Sequence, residues 1–122
     1  MNREIKFRCF TPKNSTIVYE GWNNESFVSK REIFAHGDDA IIMQYTGLKD
    51  KNGKEIYEGD ICRLIPTEEN KHNSPHMVGI RTVYWDETYF SWYFTGFVTI
   101  SWGGFESIEV IGNIYENPEL LK

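Results

Sequence analysis

Gln44-Tyr-Thr-Gly-Leu-Lys-Asp-Lys-Asn-Gly-Lys-Glu-Ile-Tyr-Glu-Gly-Asp-Ile61 places three glycines, a turn and a row of charges in one short span. Asp50-Lys51-Asn52-Gly53 lies between residues of higher strand propensity. Asn-Gly is a strong hairpin signal because both residues tolerate positive φ. Gly47 and Gly59 stand at the two ends of the expected hairpin, where each marks a bulge or tight bend. After Gly59, Asp60 leads into Ile61-Cys62-Arg63-Leu64-Ile65, a mostly apolar run suited to a strand buried on at least one face. Glu58-Gly59-Asp60 before such a strand also occurs at turns that enter small SH3-like barrels.

The flanking sequence is read the same way. In Glu4-Ile5-Lys6-Phe7-Arg8-Cys9 the apolar residues Ile5, Phe7 and Cys9 alternate with charges, which predicts a half-buried strand with Arg8 on the polar face. A turn at Thr11-Pro12-Lys13-Asn14 and a strand at Thr16–Tyr19 complete an N-terminal hairpin. Between Asn23 and Asp39, Asn24 could cap a short helix, with irregular chain as the alternative. Ala40–Tyr45 reads as the strand that enters the central span. Pro66 to Pro75 is polar and turn-rich and reads as a loop. Arg81–Trp85 and Thr88–Thr95 read as strands, the second with Phe90, Trp92 and Phe94 on one face and Tyr89, Ser91, Tyr93 and Thr95 on the other. Ser107–Ile114 is a last strand with apolar residues on both faces. Asn117-Pro118-Glu119 then starts a helical turn as cap, first position and acidic first-turn residue. The fold class is mainly β: an N-terminal hairpin, then a small barrel-like, strongly bent antiparallel sheet, then a short C-terminal helical turn.

With 122 residues, 40% of them apolar, the chain has the size of one domain able to bury a core. The formal charge of −5 opposes a protein that coats nucleic acid through its overall field. Cys9 and Cys62 are far apart and each falls in a predicted strand, as reduced core thiols do. The N-terminus has no apolar leader and no stretch is long enough to span a bilayer, so a cytoplasmic location is expected.

Three stretches resemble the YopX family of small phage and prophage proteins: Arg3-Glu-Ile-Lys-Phe-Arg8, Met43 through Ile61, and Glu109-Val-Ile-Gly-Asn-Ile-Tyr-Glu-Asn-Pro-Glu-Leu-Leu121. They bracket the chain, which implies one domain over 1–122, with 1–40 as hairpin and connecting segment and 41–122 as the barrel-like module. The resemblance implies a phage or prophage setting in the cytoplasm of a bacterial host. The family has no established activity, so the resemblance implies no catalytic residue.

Chemistry-bearing motifs are few. His72 and His76 are four apart, but Pro75 between them opposes the helix a zinc pair needs, and no third ligand is near. Asp50-Lys51-Asn52-Gly53 lacks the ligand spacing of a calcium loop. No metal or cofactor is expected. Glu55, Glu58 and Asp60 are the best material for a carboxylate-based hydrolase, the third reading, which requires two of them in one cleft. The leading expectation is a non-enzymatic module that binds an unknown host or phage protein through the hairpin, with Lys49, Asp50, Asn52, Lys54, Glu55 and Tyr57 as its surface. The alternative is a single-stranded nucleic-acid-binding accessory protein that stacks bases on Tyr89, Trp92 and Tyr93. An exposed edge strand could also support a homo-oligomer.

Overall fold

The Asn52-Gly53 turn forms where expected. Strand β3 (Ile41–Lys49) ends at the turn and β4 (Glu55–Tyr57) leaves it, with Lys49 opposite Glu55 and Tyr45 opposite Tyr57. Gly53 takes the positive φ of +81°, while Asn52 does not need one. Gly53 N–H donates to the Asp50 carbonyl and Asp50 N–H to the Lys54 carbonyl, closing the loop. Gly47, at φ +91°, sits where the β3–β4 register shifts, as a bulge glycine does.

In the computed structural model, residues 5–12, 15–22, 40–73, 78–96, 98–99 and 104–121 are described. The helix weighed for 23–39 lies outside the described residues. The fold is two antiparallel sheets, one of them curled into a half-barrel. The first has the order β2-β1-β3-β4, where β1 is Phe7–Thr11 and β2 is Thr16–Trp22. The second has the order β8-β7-β6-β5-β9. Its strands are β5 (Asp60–Pro66), β6 (Gly79–Asp86), β7 (Ser91–Phe94), β8 (Val98–Thr99) and β9 (Phe105–Asn113). The sheets part at Gly59: β3 and β4 extend the N-terminal hairpin, and the second sheet begins with β5.

Both sheets feed one core. Ile56 from β4 packs with Cys62, Leu64, Val83, Trp92, Phe94 and Val98 of the second sheet. Trp85 meets Trp92 edge-on at 5.0 Å between ring centres, and Phe94 meets Phe105 at 5.9 Å. Cys9 and Cys62 are both free and buried.

Three local expectations change. Pro66–Pro75 is not all loop: Glu68–Asn73 forms a short helix, α1. Thr67 Oγ1 accepts from Asn70 N–H, Thr67 N–H and Asn70 Nδ2 both donate to the Gly104 carbonyl, and Glu68 and Glu69 supply an acidic first turn. The strand read over Thr88–Thr95 starts only at Ser91. Asp86 Oδ1 accepts from Thr88 and Tyr89 N–H and folds the chain into a turn, leaving Phe90 at φ +51° and 78% exposed instead of beside Trp92. At the C-terminus the expected turn is a 3-10 helix, Pro118–Leu121, but Asn117 does not cap it with its side chain. Asn117 Oδ1 instead accepts from Asn113 N–H at 3.2 Å.

That use of Asn117 explains Gly112. A Cβ at Gly112 would lie 2.6 Å from Asn117 Oδ1 and 2.9 Å from Leu120 Cδ1, both contacts too close to keep. Gly112→Ala therefore displaces the C-terminal turn from β9, at a cost of about 1–3 kcal/mol typical of overpacking. Urea unfolding of the variant measures it; a midpoint and slope equal to those of the parent would refute the fit.

Candidate functional site

Arg8 is the main surprise of β1. Alternation places it on the polar face, yet it is 3% exposed, because β1 is covered on both sides. Its Nη2 donates to Asp60 Oδ1 at 2.6 Å, and Asp60 is itself 1% exposed at the start of β5. The second Asp60 oxygen accepts from Tyr57 N–H at 2.7 Å. The guanidinium lies 4.7 Å from the centre of the Tyr57 ring, and Nη2 also approaches Met43 Sδ at 3.6 Å. This one ion pair ties the first sheet to the second across 52 residues of sequence.

Burial pushes the Asp60 carboxyl upward, against the opposing pull of the Arg8 charge and the Tyr57 N–H. A carboxyl raised in the folded state contributes stability that is fully present below its unfolded value of about 3.8 and is lost as pH rises through the folded value. Arg8 limits that loss. Burial, with the Asp60 and Asp50 charges nearby, also pushes the Cys62 thiol far up, so Cys62 is held as an unreactive thiol.

Above this pair lies a cleft of about 380 Å³, lined by Arg8, Thr16, Ile17, Lys54, Asp60 and the stretch Ile111, Gly112, Asn113, Glu116 and Asn117. All three stretches that carry the family resemblance reach it: Arg8 from the first, Lys54 and Asp60 from the second, residues 111–117 from the third. Its walls are joined by Glu116. Glu116 Oε2 accepts from Thr16 Oγ1 and Ile17 N–H, both at 3.3 Å, and Oε1 accepts from Asn113 Nδ2 at 2.8 Å. Next to Asp60 in the chain, Gly59 donates its N–H to the Val83 carbonyl and accepts from Ile114 N–H. At φ +83° with Met43 Sδ 3.2 Å from where a Cβ would stand, the position suits glycine alone.

Fold and cleft together define a small two-sheet antiparallel β protein with a buried charge pair beneath a polar groove. The model of the YopX family, described as YopX protein, matches residues 5–122, and the chain belongs to that family. Among solved structures it is similar to protein EF1440 from Enterococcus faecalis, at 24% identity over 99% of this chain and 100% of that one, with a TM-score of 0.66. That likeness shows the fold alone. No curated protein matches the chain.

The residues expected to form the hairpin surface divide. Lys49, Asn52 and Lys54 are exposed. Glu55 is half-buried and pairs with Lys6. Asp50 and Tyr57 are not surface residues: Tyr57 is fully buried against Arg8, and Asp50 is 8% exposed. Asp50 staples the turn to β9 instead of standing free as a turn charge. Its Oδ1 accepts from Asn52 and Lys54 N–H and its Oδ2 from Val110 N–H, all at 2.9 Å. On the aromatic strand, Trp92 is 6% exposed and packs in the core, so it cannot stack a base. Tyr93 stays on the outer face with Tyr84, centroids 6.1 Å apart, and Tyr89 stands 65% exposed in the preceding turn. Of Glu55, Glu58 and Asp60, Asp60 alone lines the cleft, with its oxygens taken by Arg8 and Tyr57. Among the described residues no group of three His, Cys, Asp or Glu side chains could hold a metal, and His76 lies outside them. No helix there is long and apolar enough to cross a membrane.

Burial raises the Asp50 pKa, but the N–H groups of Val110, Lys54 and Asn52 and the Lys54 charge outweigh it and hold the carboxyl below its usual 3.8. Asp50 therefore contributes stability that is present above about pH 3.8 and is lost as pH falls through the folded value. Asp50→Asn should cost about 2–4 kcal/mol at neutral pH, from hydrogen bonds to a charged acceptor. The gap to the parent should narrow as unfolding is followed below that pH; a gap that stays constant would show that the charge is not what the three N–H groups hold.

Proposed function

We propose that this protein is a phage- or prophage-encoded, non-enzymatic binding module of the bacterial cytoplasm that engages a protein partner through the tip of the β3–β4 hairpin. The observation that supports this reading is the way the tip is held. Asp50 fixes the turn with three accepted bonds, and Lys51 N–H donates to the Ile108 carbonyl of β9 at 2.9 Å. A loop clamped like this loses little conformational entropy on binding. It displays Lys49, Asn52 and Lys54 outward, with Lys51 beside them in an ion pair with Glu109 at 3.8 Å, on a chain whose net charge is −5. A local cluster of lysines on an acidic protein favours an acidic protein surface as partner, recognised by charge complementarity.

The nucleic-acid alternative retains only Tyr89 and Tyr93 of its three stacking residues and lies beside Asp86 and Glu87, whose charges oppose a phosphate backbone. Of the three carboxylates a hydrolase would draw on, Asp60 alone lines the cleft, already bound by an arginine, and the cleft's other carboxylate, Glu116, is held by Thr16, Ile17 and Asn113. Both readings therefore rank below the hairpin.

Capture from host lysate with the tagged full chain, run with and without nuclease, tests the proposal against its paired variant Lys49→Glu/Lys51→Glu. A protein partner that survives nuclease and is retained at least about tenfold less by the variant fits loss of complementary charge. Capture that vanishes with nuclease, or that the charge reversal leaves unchanged, would overturn the hairpin reading.

A further inference from the structure

We infer that the cleft above the Arg8–Asp60 pair is a binding subsite for an oxyanion, the phosphate or carboxylate group of a small molecule. The cleft shares Lys54 with the hairpin tip, but its other donors, on Arg8 and Asn117, do not belong to the tip, so charge reversal at Lys49 and Lys51 tests the tip separately.

The inference comes from which polar atoms are already engaged. Four charged side chains line the cleft, two of each sign, so overall charge does not decide its ligand. Hydrogen bonding does. The carboxylates are satisfied: Asp60 by Arg8 Nη2 and Tyr57 N–H, Glu116 by Thr16 Oγ1, Ile17 N–H and Asn113 Nδ2. Asn113 Oδ1 is likewise occupied, accepting from Tyr115 and Glu116 N–H.

The donors are not. The Lys54 ammonium makes no hydrogen bond or ion pair among the described residues, though its charge is felt at Asp60. Asn117 must present Oδ1 to Asn113 N–H, which fixes the amide orientation and leaves the two Nδ2 hydrogens without a protein acceptor among the described residues. Arg8, nine-tenths buried and more, lines the cleft with its Nε–H unpartnered. A buried N–H of a charged group is costly to leave unsatisfied, and Lys54 and Asn117, the residues with the further spare donors, line the same cleft. Spare donors with satisfied acceptors select an acceptor-rich anion. The volume of about 380 Å³ exceeds that of a bare phosphate and lies in the range of small-molecule sites, so the oxyanion is one group of a larger ligand.

The test is a titration of the ¹⁵N-labelled full chain at constant ionic strength, with inorganic phosphate in one arm and acetate in the other, chloride serving as reference. Saturable shifts at the Gly112, Asn113 and Asn117 amides and the Asn117 side-chain NH₂ are expected in at least one arm. The arm that responds identifies the source chemistry. Lys54→Gln removes the ammonium, and Asn117→Asp keeps the oxygen that accepts from Asn113 while removing the donor. Each should weaken the response at least about tenfold, the loss of one charged or charge-assisted bond, with melting temperatures near that of the parent. Shifts that are linear and scattered in both arms, or saturable shifts that neither variant alters, would overturn the inference.

Discussion

The buried contact between Arg8 and Asp60 is the constraint on which the arrangement of the two sheets depends. A guanidinium and a carboxylate removed from water are costly separately, and their attraction repays that cost only when both are well placed and further bonded. Here Asp60 is bonded on both oxygens and the guanidinium is stacked on Tyr57. Neither partner can move without leaving the other as an isolated buried charge. The N-terminal hairpin sheet is thus pinned to the second sheet at a buried point, in addition to the bonds that Asp50 and Lys51 of the turn make to β9. The apolar core, to which the first sheet contributes Ile56, could tolerate small shifts; the ion pair does not.

The two surfaces proposed above, the hairpin tip and the cleft, are both built on this frame. Asp50 anchors the hairpin tip to β9, and β9 ends at the same Gly112-Asn113 stretch that walls the cleft. Lys54 belongs to both, leaving the tip on one side and lining the cleft on the other. A rigid turn and a polar groove share one wall, so what occupies either bears on the geometry of the other.

Local features of this arrangement were legible in the sequence. Gly47, Gly53 and Gly59 mark a bulge and two turns because positive φ is a backbone property that one residue declares. The C-terminal turn at Pro118 was readable because proline's fixed negative φ suits the first position of a helical turn. The long-range features were not. Arg8 alternates with Ile5, Phe7 and Cys9 and reads as solvent-facing; only a partner 52 residues away, itself disguised as a turn aspartate, makes it a core residue. Asp50 looked like a surface charge because the N–H it accepts on β9 lies 60 residues on. Helix α1 was hidden by its lack of apolar periodicity, although Thr67 followed by two glutamates was a start signal. Phe90 was placed beside Trp92 because alternation cannot see that Asp86 folds the preceding residues into a turn.

The most direct measurement is a double-mutant cycle on the ion pair, using Arg8→Met, Asp60→Leu and the pair together, followed by urea unfolding at neutral pH. Each single change leaves one buried charge alone and should cost about 3–5 kcal/mol, while the double variant, with both charges gone, should recover at least about 2 kcal/mol of their sum. Additivity of the two single costs within about 0.5 kcal/mol would contradict the account, because it would mean that Arg8 and Asp60 do not hold the sheets through each other.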